Sequence, residues 1–507
     1  MAALVSLGSF LALTDLAASP ADADLPPPTK ADTAERELPL TVQDCLSRAL
    51  LKNLDISIQR ISPQVAAAQT LSARGIFDPT VQVQTQYGSG NYQIAANSIV
   101  ASSSETSSYQ LSVNQLTALG TQLSLNMNSS GSVNNDFYYS YAEYSSFSGL
   151  NLTQPLLKGF GTNITEAQIR ISRHGEASAD AEFQVQVEQI ISNVVTAYYE
   201  MIYALDSLTT QETSLTLAQK LLDDNRIRVR IGTMTPLDIS QSTAEVASRQ
   251  DAVLQARQTV REQENALKRL ISDDFASMVG QKIVPTDRPA EDLTSRPPLT
   301  DMAAALANRP DYREAIEQAE QRKIQLVFSQ NQVLPQLNLN ASYGYGGIGT
   351  NLNNSISNLT TADFPQWYVG LSVQMPFGNR EAIGQRDTAR LQKAETLLEL
   401  KKLEQDILVQ VNNAANRVKT NQERVGISRT ATEYAKDALT AEQEKLGAGT
   451  STTYTVLQMQ RDVTQAETNE LRAVADLRES EVELFRVEGI TLKVYHIVLD
   501  HSPSPGK

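Results

Sequence analysis

The chain contains two copies of one sequence unit, and this duplication limits its possible folds more than any other feature. Residues 256 positions apart correspond without a gap through the first block, which pairs Asp55 with Asp311 and Pro79 with Pro335. Two further blocks recur in the same order, at offsets of 221 and 217 positions. Three collinear blocks predict a duplicated architecture. Each copy is expected to contain a helix, two strands, a long helix, a glycine turn and a second long helix.

In each predicted copy a strand region precedes a helical hairpin, and the copies span residues 39–275 and 299–491. The predicted strand regions are 77–155 and 334–376. The predicted hairpins are 163–272, with its tip at residue 232, and 380–488, with its tip at 447–450.

The segments outside the two copies differ from them in composition. Residues 1–23 resemble a secretory signal with an Ala21-x-Ala23 cleavage site, although no Lys or Arg precedes the apolar run. Either the start codon is assigned too far downstream or the segment is a disordered apolar N-terminus, and we expect export. The other predicted segments are a proline-rich linker at 24–38, a polar connector at 276–298 and a disordered tail at 492–507.

Composition argues against several classes of function. The net charge of −15 and the pI of about 4.9 make a nucleic-acid partner unexpected. The single cysteine, Cys45, excludes an internal disulfide. The sequence shows no phosphate loop, no metal-ligand spacing and no nucleophile motif. We therefore expect neither enzymatic activity nor a cofactor or metal site.

The strand regions alternate with a period of two residues. Val81, Val83 and Tyr87 alternate with Gln82 and Gln84, and the second copy repeats the pattern. Apolar side chains on one face and uncharged polar ones on the other are typical of a membrane barrel strand with lipid outside and water inside.

Aromatic residues cluster near the returning strands, in a chain that is otherwise poor in them. Because amphipathic rings favour the boundary between membrane and water, we expect these residues at that interface. The alternative is an ordinary sandwich rim or an adhesive loop. The candidates are Phe137, Tyr138, Tyr139, Tyr141, Tyr144, Trp367 and Tyr368.

The first copy carries an insertion between its strands. Gly88 and Gly149 are 61 positions apart, whereas Gly344 and Gly370 are 26 apart, a difference of 35 residues. The inserted sequence predicts an extra hairpin at about 108–129. Its alternation leaves open whether this hairpin joins a barrel or forms an outer loop.

Long helices follow the strands in both copies. Apolar residues spaced four and three apart, such as Val187, Ile191, Val194 and Tyr198, form a heptad pattern typical of a coiled coil. Without an interrupting proline, the first helix would extend for roughly 100 Å. The core face of a soluble bundle would show the same periodicity.

Taken together, these motifs resemble the outer-membrane efflux protein family, the TolC-like channels. The resemblance covers Leu40 to Gly489. It depends on the duplicated Ala-Leu-x-x-x-x-Asp helix start, the Pro-x-hydrophobic-x-hydrophobic strand entry, the segment Gln154 to Gly161 and the paired glycine tips.

The resemblance implies that three protomers share one barrel in the outer membrane and one helical tunnel across the periplasm. Two strands per copy give four per chain, and three chains then give 12. Closure requires an oligomer because open sheet edges are not tolerated in lipid. The expected fold class is mainly α with a membrane β-barrel: two tandem strand–helical-hairpin repeats per chain form a trimeric 12-strand barrel on a long α-helical coiled-coil tunnel.

The resemblance also assigns roles to the hairpin tips, where a periplasmic adaptor docks in this family. The alternative is that the tip residues only form tight turns, which any helical hairpin needs. The corresponding residues here are Gly232, Thr233, Gly447, Gly449 and Thr450.

The family's closed periplasmic gate corresponds to Asp238, Leu446, Ser451, Thr455 and Gln458. In the family, the acidic position matching Asp238 pairs with an aromatic residue and an arginine, but Leu446 and Ser451 occupy those positions here. A ring of aspartates in the family corresponds to Thr455 and Gln458. Three glutamines would form only a weak polar constriction.

Two hypotheses of different classes follow. The leading one is an exit duct in the bacterial outer membrane, with a large periplasmic portion, for an efflux or type I secretion system. It would work as a homotrimer in contact with outer-membrane lipid, a periplasmic adaptor (membrane fusion) protein and an inner-membrane pump of the RND or ABC type. The alternative is a periplasmic or surface coiled-coil structural protein without a pore. The cargo is not encoded in these motifs.

Overall fold

The computed structural model describes residues 36–93, 101–135, 140–287 and 302–499. The predicted signal peptide, most of the predicted linker and three of the candidate aromatics (Phe137, Tyr138 and Tyr139) lie outside these residues. Among the helices that the structure describes, none is both long and apolar enough to cross a membrane.

The order of elements follows the duplicated pattern that the sequence predicts. The strands are β1 (Arg36–Leu40), β2 (Thr80–Gln93), β3 (Ala101–Leu116), β4 (Gln122–Asn135), β5 (Ser140–Pro155), β6 (Gln281–Pro285), β7 (Gln336–Gly349) and β8 (Pro365–Gln374). The helices are α1 (Val42–Lys52), α2 (Leu54–Gln59), α3 (Ile61–Arg74), α4 (Thr162–Thr165), α5 (Ala167–Arg230), α6 (Pro236–Ile271), α7 (Phe275–Met278), α8 (Met302–Asn308), α9 (Pro310–Gln332), α10 (Leu352–Thr360), α11 (Arg380–Gly447), α12 (Thr453–Val487) and α13 (Thr491–Val494).

The main sheet has six strands, in the order β2-β3-β4-β5-β7-β8, and every neighbouring pair is antiparallel. The prediction of four strands per chain is therefore wrong. The reason is the insertion in the first copy, which supplies β3 and β4 to the same sheet. Repeat one contributes four strands and repeat two contributes two, with β5 and β7 paired where the repeats meet.

Two helical hairpins, α5–α6 and α11–α12, extend from this sheet. The helices α5 and α11 contain 64 and 68 residues, which correspond to lengths of about 96 and 102 Å. The predicted heptad residues of α5 are almost fully buried, including Val187, Val194 and Tyr198. In α11 the equivalent stripe, with Ile407 and Val411, packs against α12.

The helical segment before the first strand is broken at two places. Asn53 ends α1 and caps α2 by accepting from the backbone N–H of Ile56 at 3.0 Å. Arg60 separates α2 from α3. Pro63 occupies the first turn of α3, where its missing N–H costs nothing.

The chain on either side of the repeats is more ordered than the sequence predicts. β1 pairs in parallel with β6, which lies inside the predicted polar connector at 276–298. The predicted disordered tail is folded through residue 499 because its apolar side chains pack on the core around α5. These side chains are Leu492, Tyr495, Ile497 and Leu499.

Glu188, on the buried face of α5, gives a test of the packing between the repeats. Burial raises the pKa of its carboxyl group to about 7, against the opposing charges of Arg309, Arg313 and Arg486 and with the support of Asp311. The folded state therefore binds a proton that the unfolded state releases near pH 4.5, so this group makes the fold less stable as pH rises from about 4.5 to 7.

We expect Glu188→Gln to stabilise the folded protein at pH 8, by about 2 kcal/mol, and to have little effect at pH 5. The measurement is the thermal unfolding midpoint of the detergent-solubilised protein at both pH values. Glu395→Gln, at an exposed position of α11, is the matched control. Equal midpoints for wild type and Glu188→Gln at pH 8 would contradict the expectation.

Candidate functional site

One face of the six-stranded sheet carries a continuous band of apolar side chains in the strand halves nearest the helices, and Ser107, Ser129 and Ser146 lie on the same face farther out. Side chains of alternate residues point to the same face of a strand, and the strand register places the apolar positions of neighbouring strands opposite one another. Trp367 is 75% exposed at this face, and most of its neighbours are also exposed. The band on this face, called the apolar face below, consists of Val81, Val83, Tyr87, Tyr109, Leu111, Val113, Leu123, Leu125, Met127, Leu150, Leu152, Leu337, Leu339, Tyr343, Trp367, Val369, Leu371 and Val373.

The opposite face of the same sheet is polar and largely uncharged. Amide and hydroxyl side chains hydrogen-bond across the strands, as from Thr153 to Asn340 at 3.2 Å and from Asn340 to Ser372 at 3.0 Å. The polar face includes Gln82, Gln84, Gln86, Gln110, Asn126, Asn128, Asn151, Asn338, Ser342 and Gln374. A sheet with one exposed apolar face and one polar face is typical of a wall between an apolar phase and water.

The candidate interface aromatics divide between the two faces. Tyr144 and Trp367 lie on the apolar face, where Tyr144 covers Gly131 of β4. Tyr141 is three positions before Tyr144 on β5, and Tyr368 directly follows Trp367 on β8. Because successive side chains of a strand point to opposite faces, Tyr141 and Tyr368 lie on the polar face. A role at the membrane–water interface remains a prediction for all four residues, of which Tyr144 and Trp367 share the apolar face.

The two hairpin tips have the same local structure. Gly232 and Gly449 adopt φ angles of 81° and 78°, a region that favours glycine, and no atom lies within 4 Å of the position that a Cβ would take. Thr233 and Thr450 donate hydroxyl hydrogen bonds back to the carbonyls of Arg228 and Lys445. Gly447 is the last residue of α11 and has no such backbone requirement. The open space at the tips leaves room for a partner, although each feature also serves the turn.

Asp238 caps its own helix. Its carboxylate accepts from the backbone N–H and the hydroxyl of Thr235 at 3.0 and 2.7 Å, which forms a capping box at the start of α6. Burial opposes ionisation, but the bonds from Thr235 and a further one from Thr453 lower the pKa of Asp238 below its ordinary value. Its link to the second hairpin is thus a threonine on α12 rather than an arginine.

The other predicted gate residues have separate local roles. The side chain of Leu446 is buried in an apolar cluster that joins the two hairpins, together with Leu221 and Val456. Ser451 bonds to Glu442, and Thr455 donates its backbone N–H to Thr452. The Gln458 amide donates to Asp462 at 3.0 Å, so a carboxylate lies one turn beyond the position predicted to be uncharged.

An ion cluster that the motifs did not identify joins the two hairpins. Glu245 of α6 is 3% exposed and accepts from Arg249 at 2.8 Å and from Arg461 of α12 at 3.0 Å. Burial alone would raise the pKa of Glu245, but Arg461 and Arg249 together lower it below its ordinary value. The carboxylate is therefore ionised at neutral pH and holds α6 to α12.

Two further contacts join the hairpins closer to their tips. Arg228 Nη1, near the end of α5, donates to the carbonyl of Leu446 at 3.0 Å. The Thr453 hydroxyl lies 3.9 Å from the Met234 sulfur. The residues Arg228, Glu245, Arg249, Leu446 and Arg461 are called the tip clamp below.

Comparison with known proteins agrees with this geometry. The family model for outer membrane efflux proteins matches residues 45–272 and 302–489, which are most of both repeats. No curated protein matches the chain.

Solved structures share the fold at low sequence identity. The outer membrane channel CmeC of Campylobacter jejuni is 16% identical, with a TM-score of 0.67 over 89% of this chain and 86% of that one. The outer membrane channel MtrE of Neisseria gonorrhoeae, in its open state, is 17% identical, with a TM-score of 0.64 over 89% of each chain. The outer membrane protein VceC of Vibrio cholerae is 18% identical, with a TM-score of 0.64 over 88% of this chain and 96% of that one. Since the family model covers most of both repeats, this chain belongs to the outer membrane efflux protein family.

Proposed function

We propose that three copies of this chain form the exit duct of a tripartite efflux or type I secretion system in the bacterial outer membrane. Substrates would pass through it passively from the periplasm or from an inner-membrane pump. The observation that carries this proposal is a sheet with one apolar and one polar face, joined in the same chain to helical hairpins about 100 Å long.

The chemistry of the two faces supports passage rather than catalysis. The apolar face suits contact with outer-membrane lipid, and the uncharged amides of the polar face suit a water-filled path that binds no substrate tightly. A single protomer cannot enclose such a path because β2 and β8 lie at the ends of the sheet. Further copies must cover these edges in lipid, and a trimer is the assembly that the family implies.

The helical tips are the proposed contact with a periplasmic adaptor protein. Gly232 and Gly449 leave open space around the backbone, and each tip lies at the far end of its hairpin from the sheet. An inner-membrane pump of the RND or ABC type would supply the energy, since the sequence shows no phosphate loop.

The tip clamp is the proposed lock of the periplasmic gate. It joins two hairpins that must separate for the tips to widen, and it takes the place of the salt link between Asp238 and an arginine that the family would use. Because the clamp lies within one protomer, each protomer can release its own pair of hairpins.

Planar-bilayer recording on the purified trimer tests the duct. We expect discrete conductance steps, together with carbonate-resistant association with the outer membrane. The alternative, a coiled-coil structural protein without a pore, predicts a carbonate-soluble protein and no conductance steps. Such a result would overturn the proposal, because a coiled-coil protein without a pore needs no apolar face in contact with lipid.

A further inference from the structure

The β3–β4 hairpin is the largest difference between the two repeats, and it lies within the sheet. β2 pairs with β3 over the full length of β2, and β4 pairs with β5 over fourteen positions. In repeat two, β7 pairs directly with β8. The hairpin thus separates the two strands of repeat one that correspond to β7 and β8.

The faces of the hairpin match those of the sheet. Leu111 lies opposite Val83 on one side and Met127 on the other, and all three are on the apolar face. Gln110 lies opposite Gln84 and Asn128 on the polar face. A loop above the membrane would not need this alternation to stay in register with the wall strands.

Contacts fix the hairpin at its distal end. The Ser146 hydroxyl of β5 donates to Ser129 of β4 at 2.8 Å, and both side chains are buried. Ser355 of α10 covers this pair and donates to the carbonyl of Gly347 at 3.1 Å. A helix of repeat two therefore holds a strand of the inserted hairpin.

Contacts also fix the end of the hairpin near the helices. The Leu119 carbonyl, in the turn between β3 and β4, accepts from the backbone N–H of Gly161 at 3.2 Å. Thr121 bonds to the Gln154 side chain. At Gly120 an added Cβ would lie 2.5 Å from the carbonyl of Gly159, so the turn packs directly against the exit from β5.

We propose that the β3–β4 hairpin is a permanent part of the membrane wall, so that three protomers close a barrel of eighteen strands rather than twelve. This inference rests on the proposed function. The occupant of each free edge is a second copy of this chain: β8 of one protomer and β2 of the next run in opposite directions, so their pairing continues the antiparallel order of the sheet.

The consequence is a wider exit. At equal strand spacing and tilt, barrel diameter grows roughly in proportion to strand number, so eighteen strands give a diameter about 1.5 times that of twelve. The helical part of the duct, and not the barrel, would then limit the size of the cargo.

Charge substitutions on the two faces of the hairpin test this inference in the full-length protein. Leu111→Arg and Leu125→Arg place a charge on the apolar face, where these leucines are 42% and 54% exposed. Gln110→Arg and Asn128→Arg are matched controls on the polar face, and both positions are exposed. We expect the leucine variants to lower the yield of trimer in the outer membrane by about tenfold or more, and the controls to change it less than about twofold.

Equal yields for all four variants would place the hairpin outside the lipid and overturn the inference. Electron cryo-microscopy of the wild-type trimer in lipid nanodiscs is the second measurement. Eighteen strands would support the inference, whereas twelve strands with β2 paired directly to β5 would overturn it. A conducting trimer with twelve strands leaves the duct function intact, while a chain that neither inserts nor conducts defeats both proposals.

Discussion

Glu245→Ala is expected to raise the open probability of the reconstituted duct several-fold at neutral pH. The substitution removes the carboxylate that joins Arg461 of α12 to α6 and leaves the largely buried Arg249 without its partner. Breaking a fully buried ion pair costs about 3–5 kcal/mol, but half of the Arg461 side chain is exposed, so about 1–2 kcal/mol is the appropriate range. Each 1.4 kcal/mol corresponds to about a tenfold change in an equilibrium constant.

Single-channel recording on purified trimers provides the measurement. Glu212→Ala is the matched control, because Glu212 pairs with Arg257 at 2.8 Å within one hairpin and both side chains are well exposed. The double variant with Arg461→Ala should add little to Glu245→Ala alone, since the two residues share one interaction. An unchanged open probability in Glu245→Ala trimers would show that the gate is held elsewhere.

The pH dependence of the clamp has a definite sign. The pKa of Glu245 is lowered from its ordinary value of 4.5, so the clamp is complete above about pH 4.5 and is lost as pH falls through the lower folded value. Acidification below pH 4.5 should therefore open the wild-type duct. The Glu245→Ala duct should respond much less over the same range.

The clamp illustrates what the sequence could not show. Glu245 and Arg461 are 216 positions apart, and each lies among many charged residues on long helices where i and i+4 pairs are common. Their meeting depends on how two hairpins pack, which no local pattern specifies. For Asp238, by contrast, the sequence did carry a signal, because Thr235-x-x-Asp238 has the spacing of a capping box at a helix start.

The periodicity of the sequence was most informative for strands and helices that are apolar on one face only. The alternation at Val81 and Leu337 predicted β2 and β7, and the heptads predicted α5 and α11, because burial on one side imposes a period of two or of seven. The same alternation in the insertion could not say whether β3 and β4 join the sheet. Whether these strands join the sheet depends on contacts with other strands, such as that of Ser129 with Ser146, rather than on their own sequences.

The junction between the repeats is expected to be the most sensitive position in the sheet. Gly149 of β5 and Gly344 of β7 face each other there. A Cβ on Gly344 would lie 2.4 Å from the carbonyl oxygen of Ser148 and 2.6 Å from the Cα of Gly149. Because both obstacles are backbone atoms, no change of rotamer relieves the contact, and the two strands must move apart.

We therefore expect Gly344→Val to abolish assembly of the trimer in the outer membrane. Overpacking alone typically costs about 1–3 kcal/mol, and separation of β5 from β7 also breaks backbone hydrogen bonds that lipid cannot replace. The measurement is the amount of heat-dissociable trimer in outer-membrane fractions.

Gly346→Ala is the matched control two residues away on the same strand. Its added Cβ would meet only the terminal amide of Gln366, which is the flexible end of an exposed side chain and can turn aside. Normal trimer assembly of Gly346→Ala, together with failed assembly of Gly344→Val, would show that assembly requires the close pairing of β5 with β7. Wild-type amounts of Gly344→Val trimer would contradict this expectation. They would mean that β5 and β7 do not pair in the membrane as they do in this structure, and that the two repeats meet through another pair of strands.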